Sequence, residues 1–287
     1  MRRAQPRHLS VDTAPGPVNE IARLKLLFLG DVFGKPGRNA VKRLVPRLVH
    51  RHAVDLVVAN AENCATGIGV TPDSAEELLA AEVDLLTSGN HIWAKREIVP
   101  YLDAPGSRLL RPANYPAGAP GRGHAVVETR DGRKLGVLNL EGRVFMKDLD
   151  DPFRLGERLV AELSARGCKA ILVDMHCDAT SEKNAMGWFL AGKVSAVLGT
   201  HTHVQTADER VLPGGTAYIS DLGMTGPSES VIGVEADIVV RKFLTGLPER
   251  FETAKGPAQF QGAVVEIDPG SGQALGIQRV SLVSPAT

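Results

Sequence analysis

Apolar runs one strand long recur along the chain, each closed by a polar or charged residue, and between them apolar positions return every three or four residues. Leu24 to Leu29 is apolar almost throughout rather than alternating, the pattern of a strand covered on both faces in a parallel sheet. A loop over Gly34, Lys35, Pro36, Gly37 and Arg38 then leads into a helix whose stripe is Val41, Leu44, Val45 and Leu48, with Pro46 as a kink. Leu56 to Ala59 reads as a second strand. Thr71 and Pro72 form the cap and first turn of a helix over Asp73 to Glu82, and Leu85 to Thr87 is a third strand.

The pattern changes near residue 124. Ala125 to Thr129 and Lys134 to Leu140 flank Asp131 and Gly132, which signals a hairpin and therefore antiparallel strands. A helix over Phe153 to Arg166 and a strand over Ala170 to Met175 follow. Next come a helix near Glu182 to Leu190, a strand over Val194 to Leu198, and a strand over Ala217 to Ile219. A helix around Glu235 to Leu244 precedes a last hairpin, Gly262 to Ile267 against Ala274 to Val283, turned at Asp268, Pro269 and Gly270. Alternating elements early and meanders later predict an α/β fold of two mixed sheets packed face to face between helical layers, an αββα arrangement spanning residues 23 to 287.

What closes the strands carries the chemistry. Five of them end in a carboxylate, a carboxamide or an imidazole: Asp31, Glu62 with Asn63, Asn90 with His91, His176, and His201 with His203. In open α/β sheets the ligand crevice lies beyond the carboxyl ends of the strands, so these side chains are expected to meet. If the strand geometry continues through Gly199, Thr200, His201, Thr202 and His203, both imidazoles face one side. Each residue alone has an ordinary explanation as a turn, cap or core residue. All five together do not, because four of the eight histidines fall at strand ends. Oxygen and imidazole donors without thiolate suit iron, manganese or zinc, and they are too many for one tetrahedral ion.

Composition narrows the setting. The 287 residues are 43% apolar and 23% charged, with 33 basic against 33 acidic side chains, so no global field draws in nucleic acid or an anionic membrane. Three cysteines without paired spacing argue against a disulfide framework and for a reducing compartment, with cytoplasm as the expected location. Residues 1 to 22, with Pro6, Pro15 and Pro17, read as a flexible extension. No apolar run approaches a membrane span. Gly67, Ile68 and Gly69 lack the third glycine of a dinucleotide loop, and Asp31 lacks the second aspartate of an aspartyl-phosphate phosphatase.

The order Asp, then Gly89-Asn90-His91, then a lone His176, then Gly199-Thr200-His201-Thr202-His203 resembles the calcineurin-like metallophosphoesterases. The departures from that pattern are Val32-Phe33 after Asp31 and Glu62-Asn63 in place of a bridging Asp. With Arg111-Pro112-Ala113-Asn114, Ala179 to Lys183 and Thr202 to Asp208, they resemble the YmdB-type bacterial phosphodiesterases, from about Leu24 to about Val283. The resemblance implies one metal held by Asp31, Glu62, Asn63 and His203, and a second by Glu62, Asn90, His176 and His201. Glu62 would bridge them and His91 would be the catalytic histidine. It further implies iron or manganese rather than zinc, hydrolysis of 2′,3′-cyclic and possible 3′,5′-cyclic nucleotides, and a homo-oligomer, dimer or tetramer. Chemically, two such ions polarise phosphoryl oxygens and acidify a shared water for in-line attack, while His91 protonates the departing ribose oxygen. Ile92 follows His91, so whatever orients the ring must come from elsewhere.

Two further readings stay open from the residues: a phosphomonoesterase or nucleotidase on the same scaffold, and a regulatory protein that binds nucleotide or RNA with turnover dispensable. Cys64 and Cys177 adjoin proposed ligands; the plain expectation is that they fill space, the sharper one that they form a redox-sensitive shell.

Overall fold

The computed structural model describes residues 23–129 and 131–285, so the expected extension over residues 1 to 22 lies outside the described residues. The elements run β1 (Leu24–Leu29), β2 (Asp31–Val32), α1 (Gly34–His52), β3 (Leu56–Asn60), α2 (Pro72–Leu79), β4 (Leu85–Thr87), α3 (Ile98–Asp103), β5 (His124–Glu128) and β6 (Lys134–Glu141). They continue as α4 (Pro152–Ala165), β7 (Ala170–His176), α5 (Thr180–Phe189), β8 (Ala196–Thr200), β9 (Arg210–Leu212), β10 (Thr216–Ile219), β11 (Met224–Pro227), α6 (Ala236–Thr245), β12 (Ala258–Ile267) and β13 (Ala274–Ser284).

Alternation along the strands decides the layering. On β1, Leu24, Leu26 and Phe28 join Leu135, Val137, Leu172 and Leu198 in one core cluster, while Leu27 and Leu29 join Val41, Val45 and Leu78 in another. Successive side chains thus point to opposite faces, one toward the second sheet and one toward α1 and α2. The second sheet does the same, turning Val173 and Val197 onto Leu159 and Leu163 of α4 and Met186 of α5. The result is helix, sheet, sheet, helix, as the apolar pattern implied.

Both sheets are mixed. The first has strand order β2-β11-β12-β1-β3-β4, with β13 paired to β12, and the second has β5-β6-β7-β8-β10-β9. β1, β3 and β4 are parallel to one another, as are β6, β7, β8 and β10, so their carboxyl ends gather at one edge of each sheet. The β5 to β6 and β12 to β13 hairpins are antiparallel, as predicted.

Several local expectations give way. The stretch Gly34 to Arg38, read as a loop, is the first turn of α1, because proline in a first turn sacrifices an N–H that has no helical partner there. α1 also runs on through Pro46 to His52. α2 stops at Leu79 and α5 starts at Thr180. β12 begins at Ala258, four residues before Gly262, because it pairs with β11 at its start. The short elements β2, β9, β11 and α3 carry too few residues for a periodic signal. Among the described residues no helix is long and apolar enough to cross a membrane.

Candidate metal centre

The five predicted strand ends converge. Asp31, Glu62 and His203 place one potential ligand atom each within 4.8 Å of one another, and Glu62, His176 and His201 do the same. Glu62 is the member common to both groups. It is fully buried, as are Asp31 and His176, and His203 is nearly so.

The histidines meet without the extended geometry expected of them. β8 ends at Thr200, and His201 (φ 105°) and His203 (φ 66°) both take left-handed backbone conformations. Side chains there are strained and persist only where neighbours fix the backbone. The neighbours are two carboxylates: Asp31 Oδ2 accepts from His201 N at 3.0 Å, while Asp221 Oδ2 accepts from Thr202 N at 3.0 Å and Thr202 Oγ1 at 2.7 Å. Asp221 is itself held by buried Lys183, whose Nζ lies at 2.7 Å. The turn sends His201 toward His176 and His203 toward Asp31.

Hydrogen bonds set the ring orientations. Thr200 Oγ1 gives its proton to Asp174 Oδ1 at 2.7 Å and lies 2.9 Å from His176 Nδ1, so Nδ1 carries a hydrogen and Nε2 is the nitrogen that faces the centre. Likewise His203 Nδ1 donates to the Ile232 carbonyl at 2.9 Å, which leaves Nε2 facing inward. Asn60 donates to Asp174 Oδ2 at 3.2 Å and accepts from Glu62 N at 3.1 Å, tying both strand ends together.

The centre is rich in acceptors. His176 Nε2 lies 3.0 Å from Asn90 Oδ1, 3.1 Å from His201 Nδ1 and 3.2 Å from Glu62 Oε2. A single hydrogen serves only one of these contacts, whereas a cation serves all of them. Asp31 Oδ1 is buried with no hydrogen-bond partner. A Cβ at Gly89 would fall on His176 Nε2 and Glu62 Oε2, so only glycine leaves that space open. Burial pushes Asp31 up from its ordinary value, opposed by His203 and His176. Burial would raise Glu62 too, but His176 and His91 hold it well below the usual carboxylate range. Burial and then His176 push His201 down to about 3, an imidazole that stays a lone-pair donor. The donor set, the orphaned oxygen and the glycine gap all fit metal ions.

Asn63 and His91 form a pair that the sequence left unresolved. Asn63 Oδ1 lies 2.9 Å from His91 Nδ1, and Asn63 Nδ2 donates to Glu62 Oε1 at 3.0 Å and lies 3.2 Å from His203 Nε2. Asn63 is therefore the orienting partner that Ile92 does not supply. In this rotamer its amide nitrogen, not its oxygen, faces Glu62 and His203. A half-turn of the amide would offer the oxygen there instead.

Cys64 and Cys177 adjoin the centre as expected. Burial pushes Cys64 up to about 11, and burial followed by the Glu182 carboxylate pushes Cys177 up to about 12, so both stay protonated thiols. Asp174 and Asp221 were missed by sequence reasoning. Asp221 follows Ala217 to Ile219 and would have been found by the same strand-end criterion.

The family model described as YmdB-like protein matches residues 27–280. The chain is 45% identical, over 257 residues covering 90% of it and 96% of the relative, to the Bacillus subtilis (strain 168) protein named 2′,3′-cyclic-nucleotide 2′-phosphodiesterase. A crystal structure of a novel phosphatase from Mycoplasma pneumoniae superposes with a TM-score of 0.86 at 35% identity, covering 93% of this chain and 95% of that one. A hypothetical protein from Thermus thermophilus gives 0.85 at 41%, covering 91% and 100%.

Proposed function

The chain belongs to the family of YmdB-like proteins, and from that premise we propose that it is a metal-dependent phosphodiesterase that opens cyclic nucleotides, chiefly 2′,3′-cyclic esters at the 2′ bond. The observation that carries this reading is the pair of ligand groups sharing Glu62, one of them with an unpartnered Asp31 oxygen. Asp31, Glu62, Asn63 and His203 would hold one ion, with the Asn63 amide turned, and Glu62, Asn90, His176 and His201 the other. Iron or manganese is the pair of metals that the family resemblance implies, and the oxygen and nitrogen donor set accommodates either. When bound, the two ions neutralise phosphoryl charge and acidify a water for attack in line.

The chain's own residues do the rest. Asp221 and Lys183 hold the His201 to His203 turn, and Asp174 with Thr200 keeps His176 in its ligating tautomer. In the observed rotamer Asn63 Oδ1 accepts from His91 Nδ1, a contact given up when the amide turns toward an ion. The His91 side chain is 36% exposed, and Nε2 is the end of the ring left to give a proton to the leaving ribose oxygen.

Purified protein assayed against 2′,3′-cyclic AMP, 3′,5′-cyclic AMP and p-nitrophenyl phosphate, before and after chelation and manganese or iron return, tests the reading. Chelator-sensitive conversion of 2′,3′-cyclic AMP to 3′-AMP is expected, with slower turnover of the 3′,5′ ester. A phosphatase among the structural relatives favours a monoesterase as the second reading, and turnover of p-nitrophenyl phosphate alone would establish it. No turnover with any metal rejects both.

The three free, buried cysteines support a cytoplasmic location. The apolar side chains left exposed on α6, Phe243 at 83% and Leu244 at 82%, support a homo-oligomer, either dimer or tetramer. Light scattering is expected to give at least twice the chain mass, and a monomer at micromolar concentration would remove this assignment.

A further inference from the structure

Beyond the metal ligands, the strand end next to His176 carries a turn with no part in the chemistry described so far. β6 pairs in parallel with β7 so that Glu141 stands opposite His176, and Gly142 N donates to the His176 carbonyl at 2.9 Å. A Cβ at Gly142 would meet Cys177 Cβ and Glu182 Oε2 at 2.6 Å, so the chain passes this point only as glycine. Three residues later Phe145 is 88% exposed with φ 62°.

That combination runs against local preference. Met146 N donates to the Arg143 carbonyl at 3.2 Å, closing a turn whose third position is Phe145, where a positive φ calls for glycine. The strain persists because Glu182 of α5, buried to 8% exposure, accepts from Arg143 N at 3.0 Å and Val144 N at 3.1 Å. A large aromatic ring is therefore held in water, on a strained backbone, by a buried carboxylate.

The surroundings are those of a binding face. Lys147 Nζ donates to the Tyr115 hydroxyl at 3.3 Å, and Tyr115 packs edge-on against Trp93, two residues after His91, at 5.5 Å between ring centroids. Lys147, two residues past Phe145, thus ties this turn to the aromatic pair beside the His91 loop. At its base Glu141 is fully buried; the Tyr115 hydroxyl approaches it, yet neither carboxylate oxygen completes a hydrogen bond.

We propose that the Arg143 to Met146 turn is the nucleoside side of the active site, with the Phe145 ring as the face on which the base stacks. This rests on the phosphodiesterase reading and adds the part of the substrate that the metal centre cannot recognise. Every nucleobase has a π-face, so the contact favours nucleotides over plain phosphoesters without selecting one base.

The test compares wild type, Phe145→Ala and Phe145→Trp on 2′,3′-cyclic AMP and on methyl riboside 2,3-cyclic phosphate, which lacks a base. Phe145→Ala is expected to raise KM for the nucleotide about tenfold, with kcat and the base-free ester changed by less than about twofold. Phe145→Trp should restore the wild-type KM, and all three proteins should melt together because the ring is exposed. Calorimetric binding of 3′-AMP, weakened in step in Phe145→Ala, gives a readout independent of turnover. Should wild type bind 3′-AMP through Phe145 yet hydrolyse neither ester, the phosphodiesterase reading fails and the subsite stands. Equal effects on both esters, unchanged KM and binding, or a shift in oligomeric state with KM intact would overturn the subsite.

Discussion

Replacing Glu62 with Ala is expected to remove metal and turnover together, the largest single loss available in this chain. Its carboxylate belongs to both ligand groups, whereas Asp31, His176, His201 and His203 each belong to one. Glu62 also accepts from His91 N at 3.2 Å and from Asn63 Nδ2 at 3.0 Å, so the positions of the His91 ring and its partner depend on it. Metal assistance contributes several kcal/mol of transition-state charge stabilisation, so kcat/KM for 2′,3′-cyclic AMP should fall by about 10⁴-fold. Metal content, read by atomic emission, should fall from two ions to fewer than one per chain. Glu62→Ala protein that keeps both ions would show that the carboxylate is not the shared ligand.

His91→Ala should separate chemistry from metal binding. The ring is half-exposed and joins neither ligand group, so metal content should stay at the wild-type level. With the proposed proton donor gone, kcat on 2′,3′-cyclic AMP is expected to fall about 10²- to 10⁴-fold. A p-nitrophenyl ester, whose leaving group departs without a proton, should lose less than about tenfold. Equal losses on both substrates would remove His91 from the role of general acid and leave it as a phosphate contact.

The strand ends were legible because parallel strands deliver their last residues to one edge, and a polar residue there interrupts an otherwise apolar run. The helical layers followed from periodicity for the same reason. Convergence of His201 and His203 was anticipated, but from the wrong backbone. Nothing local signals that Thr200 ends the strand, since the left-handed turn is imposed by Asp31 and Asp221, which reach it from other strand ends. Asp174 was hidden inside β7 among Leu172, Val173 and Met175, where its contacts with Thr200 and Asn60 give it a purpose. Asn63 as the partner of His91 was equally invisible, because 28 residues separate the two and a fold is needed to join them. Gly34 and Pro36 misled because turn residues and first-turn helix residues overlap in type.

Glu62 and Asp31 come from the first sheet, while His176, His201 and His203 come from the second, so each ligand group straddles the seam between them. That seam is filled by Phe28, Val58, Leu135, Val137, Leu172 and Leu198, side chains that interlock at close-packed density and resist sliding. The spacing of the donors is therefore inherited from the hydrocarbon between the sheets, and the aliphatic interior acts as the gauge block against which the polar end of the molecule is set.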